Sequence, residues 1–346
     1  MKTNTLKAAA AVGLSALLVG SAAAQESKSK PVGYETVGYT AGFNYVGIRL
    51  HEAPVASGAS TTIDFATVTV ADGVADALVA GTTYLFEATT GDAAGAVTTV
   101  ESFDADADSV TLSDDLSDNF ADGDEFIIRP ASTLASIFGD ANDVANSGGG
   151  LTSTGSFGTC DQAWVPDGQG GFSKYAYVQG NPFTGTLTGW KDADGADVTA
   201  ADTALIYSDG VILVGAAAGD VVVSGSVKLQ SVALSLTTTF NYAGSIFPAG
   251  LTLAESELEN SLLSTGSFGT SDQLWLSDGA GGFAKYAFVQ RNPFDPASVT
   301  GWKDADGNDV DGATVSFDDN SGVIVVRGDS TVRMVTVDSP DFYDEL

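Results

Sequence analysis

Thr154 to Phe183 (TGSFGTCDQAWVPDGQGGFSKYAYVQGNPF) is read again at Thr265 to Phe294 (TGSFGTSDQLWLSDGAGGFAKYAFVQRNPF), with 22 of 30 positions identical. A match of this length calls for two similar structural units in one chain. After a one-residue insertion the likeness resumes at Gly189-Trp190-Lys191-Asp192-Ala193-Asp194-Gly195 and Gly301-Trp302-Lys303-Asp304-Ala305-Asp306-Gly307. It continues through Gly210-Val211-Ile212 and Gly322-Val323-Ile324. Upstream, Phe43-Asn44-Tyr45-Val46-Gly47 corresponds to Phe240-Asn241-Tyr242-Ala243-Gly244, and Pro130-Ala131 to Pro248-Ala249.

The second copy passes from Phe247 straight to Pro248, whereas the first runs from Leu50 to Pro130 through an extra stretch, His51 to Arg129. That stretch reads as an inserted domain, of a size (about 80 residues) that can just fold alone. The division this predicts is a first β unit over 25–50 plus 130–218, an inserted β domain over 51–129 and a second β unit over 219–346.

Strand character dominates. Within the insertion, Thr61–Val70, Thr83–Ala88, Ala96–Phe103, Ser109–Ser113 and Glu125–Ile128 are rich in Thr, Val, Phe and Ile and are separated by Gly and Asp clusters. In the parent units Lys174–Gln179 alternates, and Val211–Val214 and Val221–Val223 are short apolar runs. Helix is scarce. The best candidate is Thr252–Leu258, where Thr252 and Glu255 have capping-box spacing; its counterpart, Thr133–Phe138, has Ser136 in place of the glutamate. The fold class expected is all-β: two sandwich- or barrel-like units, each with one short helix.

Met1–Ala24 has Lys2 and Lys7, an apolar run from Ala8 to Val19 and Ala22-Ala23-Ala24 before Gln25, the pattern of a secretory signal peptide rather than of a membrane anchor. No later segment is apolar for long enough to span a bilayer, so an exported chain without an integral membrane segment is expected, in the periplasm, at the cell surface or outside. Loss of Lys2 and Lys7 takes the formal charge from -31 to -33. Phosphate binding needs a basic stripe, which is lacking, so nucleic acid is not an expected partner. An acidic surface of this kind suits saline surroundings or divalent cations.

The single cysteine, Cys160, allows no intramolecular disulfide; Ser271 stands at its place in the other copy, which favours a small packed side chain over a nucleophile. The single histidine, His51, aligns with Pro248 and cannot build a zinc cluster alone.

Two sets of residues invite a functional reading. Asp192, Asp194 and Asp197, repeated as Asp304, Asp306 and Asp309, place three carboxylates within six residues, as a calcium loop would. The EF-hand spacing is not met, because Gly195 and Gly307 fall at loop position four and Thr203 and Val315 at position twelve; a tight hairpin turn explains the same residues. Asp104, Asp106 and Asp108 read as a solvated strand edge or loop. The second set is Trp164, Trp190, Trp275 and Trp302, two matched pairs that serve either as sugar-stacking platforms or as anchors of a β core. Their aromatic companions, Phe172, Tyr175, Tyr177 and Phe183 with Phe283, Tyr286, Phe288 and Phe294, point toward the core. No nucleophile elbow, phosphate loop or His-Glu-x-x-His helix is present.

The Phe43–Gly47 segment, Ile128-Arg129-Pro130 with Thr133-Leu134 and Ile137-Phe138-Gly139, the Asp161-Gln162-x-Trp164 and Asp272-Gln273-x-Trp275 segments and the paired Gly-Trp-Lys turns together resemble a family of secreted, internally duplicated β-rich proteins of verrucomicrobial and planctomycetal bacteria. The resemblance covers nearly all of the chain after the signal peptide. It implies export and architecture, and carries no activity or catalytic residue with it. The function expected is that of a non-enzymatic structural or assembly protein whose partners are itself or other surface proteins. The alternative is an extracellular carbohydrate-binding protein with paired Trp platforms, calcium being the one cofactor its acidic turns would suit; a glycan-active hydrolase is the third reading.

Overall fold

Alternation of β-branched or aromatic residues with small polar ones makes a strand with one face for the core and one for water. Ser109–Leu112, Gln162–Pro166, Val211–Gly215, Gln273–Ser277 and Arg333–Val337 alternate in burial this way, while Tyr84–Ala88 and most of Glu125–Pro130 are buried on both faces. The computed structural model describes residues 32–139, 151–167, 171–180, 188–200, 202–206, 210–236, 239–244, 250–278, 282–291, 299–317 and 322–337; the expected signal peptide lies outside them. Among the described residues the fold is mostly β, with several antiparallel sheets, one of them a curled half-barrel, and one short α-helix. No described helix is long and apolar enough to cross a membrane.

The described chain opens with β1 (Val32–Tyr39), β2 (Gly42–Val46) and β3 (Leu50–His51). Seven strands follow: β4 (Ala56–Ala59), β5 (Thr62–Asp64), β6 (Thr67–Thr69), β7 (Tyr84–Ala88), β8 (Val97–Asp104), β9 (Ser109–Leu112) and β10 (Glu125–Pro130). They form one antiparallel sheet in the order β4-β10-β7-β8-β9-β6-β5 around a core that includes Val68, Phe86, Val110, Phe120, Phe126 and Ile128. The expected strand over Thr61–Val70 is instead the β5–β6 hairpin, because Phe65 turns the chain with φ 53.

After β11 (Ser132–Thr133) and α1 (Leu134–Phe138) come β12 (Gln162–Pro166), β13 (Phe172–Val178), β14 (Gly189–Asp192), β15 (Ala204–Leu205), β16 (Val211–Gly215) and β17 (Gly219–Val227). The last group is β18 (Val232–Leu236), β19 (Phe240–Ala243), β20 (Gln273–Ser277), β21 (Phe283–Val289), β22 (Gly301–Asp304), β23 (Val323–Val326) and β24 (Arg333–Val337). Two five-stranded sheets result, β14-β13-β12-β16-β2 and β22-β21-β20-β23-β19, flanked by the pairs β1–β17 and β18–β24. One core draws on Val37–Leu50 and Leu134–Val223, and another on Val232–Val337 together with Leu85 and Ala131.

The helix expectation is reversed between the copies. At Thr252 the side-chain capping contacts form, with the Thr252 and Glu255 groups 2.9–3.3 Å apart, but Glu257 adopts φ 52 and only turns and the 3-10 segment Leu258–Asn260 follow. The α-helix is α1, where Thr133 and Ser136 cap each other reciprocally at 2.8 and 3.1 Å. A serine hydroxyl thus does at α1 what the glutamate promised elsewhere.

Close backbone approach decides two junctions. Gly95 carries φ 88, accepts the Ala233 amide at 2.8 Å, and would put a Cβ 2.8 Å from that nitrogen, so the turn before β8 seats on β18 only as glycine. Tyr45 lies against Gly210 and Gly322, which share one position in the repeat; a Cβ at either would fall on its hydroxyl or ring. The Tyr45 carbonyl also accepts the Gly322 amide at 3.0 Å, holding the two five-stranded sheets together.

Candidate functional site

Each Gly-Trp-Lys-Asp strand runs into a hairpin whose glycine, Gly195 or Gly307, has φ 83 and donates its amide to the carbonyl of Asp192 or Asp304 at 3.0 Å. The first carboxylate is turned onto the backbone: Asp192 accepts the amides of Asp194 and Ala196 at 3.0 and 2.8 Å, and Asp304 those of Asp306 and Asn308 at the same distances. The Asn308 side-chain amide, at 2.9 Å, and these backbone donors hold the Asp304 carboxyl below its usual range. Asp197 and Asp309 are ion-paired to Lys191 and Lys303, and Asp194 and Asp306 face water. The carboxylates proposed for calcium are therefore divided between turn amides and lysines, and among the described residues no three acidic, His or Cys groups converge. Asp104 likewise accepts the amides of Asp106 and Ala107 in a turn.

The tryptophans separate into two kinds. Trp190 and Trp302 are 2% and 5% exposed, facing Tyr177 and Phe288 across the β13–β14 and β21–β22 ladders with ring centroids 6.0 and 5.5 Å apart. They are core anchors, and burial leaves them no ring face for a sugar. Trp164 and Trp275 are half-buried, but their cross-strand partners Lys174 and Lys285 hold ammonium groups 3.9 and 3.7 Å from the ring centroids. Their indole N–H groups donate to Gln162 and Gln273, and Phe43 and Phe240 meet them edge-on at 5.3 and 5.7 Å. One face of each is thereby taken by a cation, a contact worth about 0.5–1 kcal/mol.

Beside them stand two buried carboxylates that sequence reading noted only as part of a motif. Asp161 accepts the Thr152 and Ala216 amides, both at 2.5 Å, and the Tyr39 hydroxyl at 2.7 Å. Burial and Asp161 hold that phenol above its usual range. Asp272 accepts the Leu263 and Gly328 amides at 2.8 and 2.7 Å and pairs with Arg333 at 3.2 Å. Each carboxylate ties the loop before its sheet to the strand end beyond it. Cys160 next door receives the Thr154 amide at 3.2 Å, as Ser271 receives that of Thr265 at 2.9 Å, so its sulfur replaces a loop-closing hydroxyl.

A buried charge cluster joins β7 and β10 to the end of β17. Arg129 on β10 donates through Nε and Nη2 to Glu87 on β7 at 2.5 and 3.2 Å, and through Nη1 to the Glu52 carbonyl at 3.0 Å. Lys228 lies 3.9 Å from Glu87 and donates to the Gln230 and Ser231 carbonyls at 2.8 and 2.9 Å. Burial pushes the ammonium down to about 8, against the pull of Glu87 and with help from Arg129. His51 is buried beside them, and burial, then Arg129 and Lys228, hold its imidazole well below the usual 6.5. Sequence reading missed this cluster; the signal was Arg129, the one Lys or Arg in residues 51–129 against 16 acidic residues. Its amines and carboxylate are committed to one another and to carbonyls, which suits a clamp rather than a reaction.

His51 gives a pH dependence of known sign. The unfolded chain takes a proton near pH 6.5 while the folded imidazole stays neutral, so stability is full above that pH and falls as the pH drops below it. With one histidine in the chain, the slope from this group should grow from about 0.7 kcal/mol per unit at pH 6.5 toward about 1.4 below pH 5.5. Urea unfolding of the wild type and His51→Gln checks this: equal slopes in both would refute a buried neutral imidazole.

An apolar cleft of about 220 Å³ lies where the two five-stranded sheets meet, lined by Phe43, Tyr45, Ile212, Tyr242, Ser277, Gly282, Phe283 and Ile324. The Tyr45 and Tyr242 rings meet in it at 5.6 Å, and Phe172 packs on Tyr242 at 5.0 Å. No protein-family model, curated protein or solved structure matches the chain.

Proposed function

We propose that this is an exported or cell-surface structural protein, non-enzymatic, that contacts neighbours in a layer, filament or matrix. In this reading it consists of two duplicated β units, the first interrupted by the inserted domain. The common order of the two five-stranded sheets supports the duplication, and the largely separate core of β4–β10 supports the insertion. The resemblance to exported, duplicated proteins points the same way.

The observation that carries the reading is the outer face of the β1–β17 pair, where Val32 and Tyr34 are 77% and 80% exposed and Val222 stands beside them. On β18, which precedes its sheet as β1 does, the insertion turn at Gly95 is seated on Ala233. Apolar side chains left uncovered on one of two comparable strands mark a surface for a neighbour. Glycan binding would need bare indole faces; burial removes those of Trp190 and Trp302, and Lys174 and Lys285 cover one face each of Trp164 and Trp275.

Light scattering on the chain from Gln25 onward, in high salt with and without millimolar calcium, tests the proposal. Growth into large particles is the expected result, and reversal by chelator would assign the exposed Asp194 and Asp306 turns a part in it. A monomer under both conditions would overturn the assembly reading.

A further inference from the structure

The turn of the β5–β6 hairpin is a place where glycine, asparagine or aspartate is the usual residue, because the first turn position needs a positive φ. Phe65 occupies it with φ 53 and is 72% exposed. A bulky side chain held in the left-handed region and pointed at water burdens the fold twice, once through its backbone and once through its ring. A bulky residue at positive φ is an outlier that points to a use for its ring outside its own fold. The tip is acidic: Asp64 precedes Phe65, Asp122 accepts the Ile63 amide at 3.2 Å, and the insertion carries 16 acids against Arg129. That charge opposes an anionic membrane as the destination.

A complementary surface exists on the same chain. The cleft between the five-stranded sheets, about 220 Å³, exceeds the roughly 150 Å³ apolar cavity that accepts a benzene ring. Phe43 at its rim is 61% exposed. Lysines stand one ring away on both sides: Lys174 over Trp164, which touches Phe43, and Lys285 over Trp275, whose ring centroid is 6.2 Å from that of Phe283. An aromatic knob with acidic neighbours thus meets an aromatic cleft flanked by two lysines, with the Asp278 carboxylate at its Gly282 end.

We propose that the Phe65 hairpin of one copy docks in the Phe43–Phe283 cleft of a second, joining copies of the chain head to tail. The proposal rests on the assembly reading and adds to it a contact distinct from the β1–β17 face. Knob and hole lie on different parts of the surface, so each docked copy still offers one of each, and the contact propagates into an open chain unless its rotation closes a ring.

Sedimentation velocity on the full exported chain over a wide concentration range tests it with two variants. Phe65→Gly suits the positive φ and should fold at least as well as the wild type, and Phe43→Ala truncates a mostly exposed ring. Each should weaken self-association roughly a hundredfold, the loss expected for one buried phenyl ring. Mixed together, the variants should form heterodimers that do not grow, because one supplies only a cleft and the other only a knob. Assembly of Phe65→Gly at wild-type strength would overturn this contact and leave the assembly reading standing. A wild type that stays monomeric throughout would overturn both.

Discussion

Arg129→Ala is expected to lower the unfolding free energy by about 3–5 kcal/mol, the usual result of stripping one partner from a buried ion pair. Glu87 and Arg129 are 1% and 2% exposed, and the carboxylate takes two guanidinium N–H groups. Without Arg129, Glu87 keeps only Lys228 at 3.9 Å, and the Glu52 carbonyl loses its donor. Replacing both partners with apolar residues of similar volume, Glu87→Leu with Arg129→Met, should recover a large part of the loss, because no charge is then left uncompensated on that pair. Urea unfolding followed by circular dichroism measures both. A loss below about 1 kcal/mol in Arg129→Ala, the range of exposed pairs, would mean that the cluster is hydrated and does not clamp β7 and β10 to the end of β17. The variant also removes a cation that holds down the imidazole, so the acid-side loss of stability from His51 should end at a higher pH than in the wild type.

Some of this fold is legible in the sequence because its causes are local. The Asp-Ala-Asp-Gly turns follow from one glycine and a side chain that reaches its own backbone, and four of the five strands expected in the insertion lie close to where β-rich runs put them. The fifth fails at Phe65, where the chain turns at a residue that no turn preference would choose. Helix location fails for a subtler reason: Thr252 and Glu255 make their capping contacts, but the left-handed Glu257 ends the turn, a decision taken by packing beyond the window. The buried charges were illegible in another way. The chain has 45 Asp and Glu, and nothing in composition distinguishes the buried Glu87, Asp161 and Asp272 from solvated ones. Tyr45 against Gly210 and Gly322 is a contact between sheets; the repeat advertises both glycines, but not the ring that requires them.

Trp190→Ala should cost about 3–5 kcal/mol, the cost of removing a large aromatic side chain from a packed core. The indole is enclosed by Tyr177 and Phe138, at 6.0 and 6.2 Å between ring centroids, and its N–H donates to the Gly139 carbonyl at 3.0 Å. Truncation therefore opens a cavity beneath the β13–β14 ladder and strips a donor from the residue that ends α1. Trp164→Ala, two strands away, should cost much less, because that ring is half-buried and gives up chiefly the Lys174 and Phe43 contacts. The difference separates anchor from platform more sharply than either value alone. Trp302 and Trp275 should repeat the ordering in the second sheet, Trp302 being 5% exposed against Phe288. Denaturant midpoints for the four alanine variants at constant m-value provide the measurement. If Trp190→Ala unfolds with the wild type while binding of an oligosaccharide is lost, the indole serves a ligand and its placement in the core is wrong.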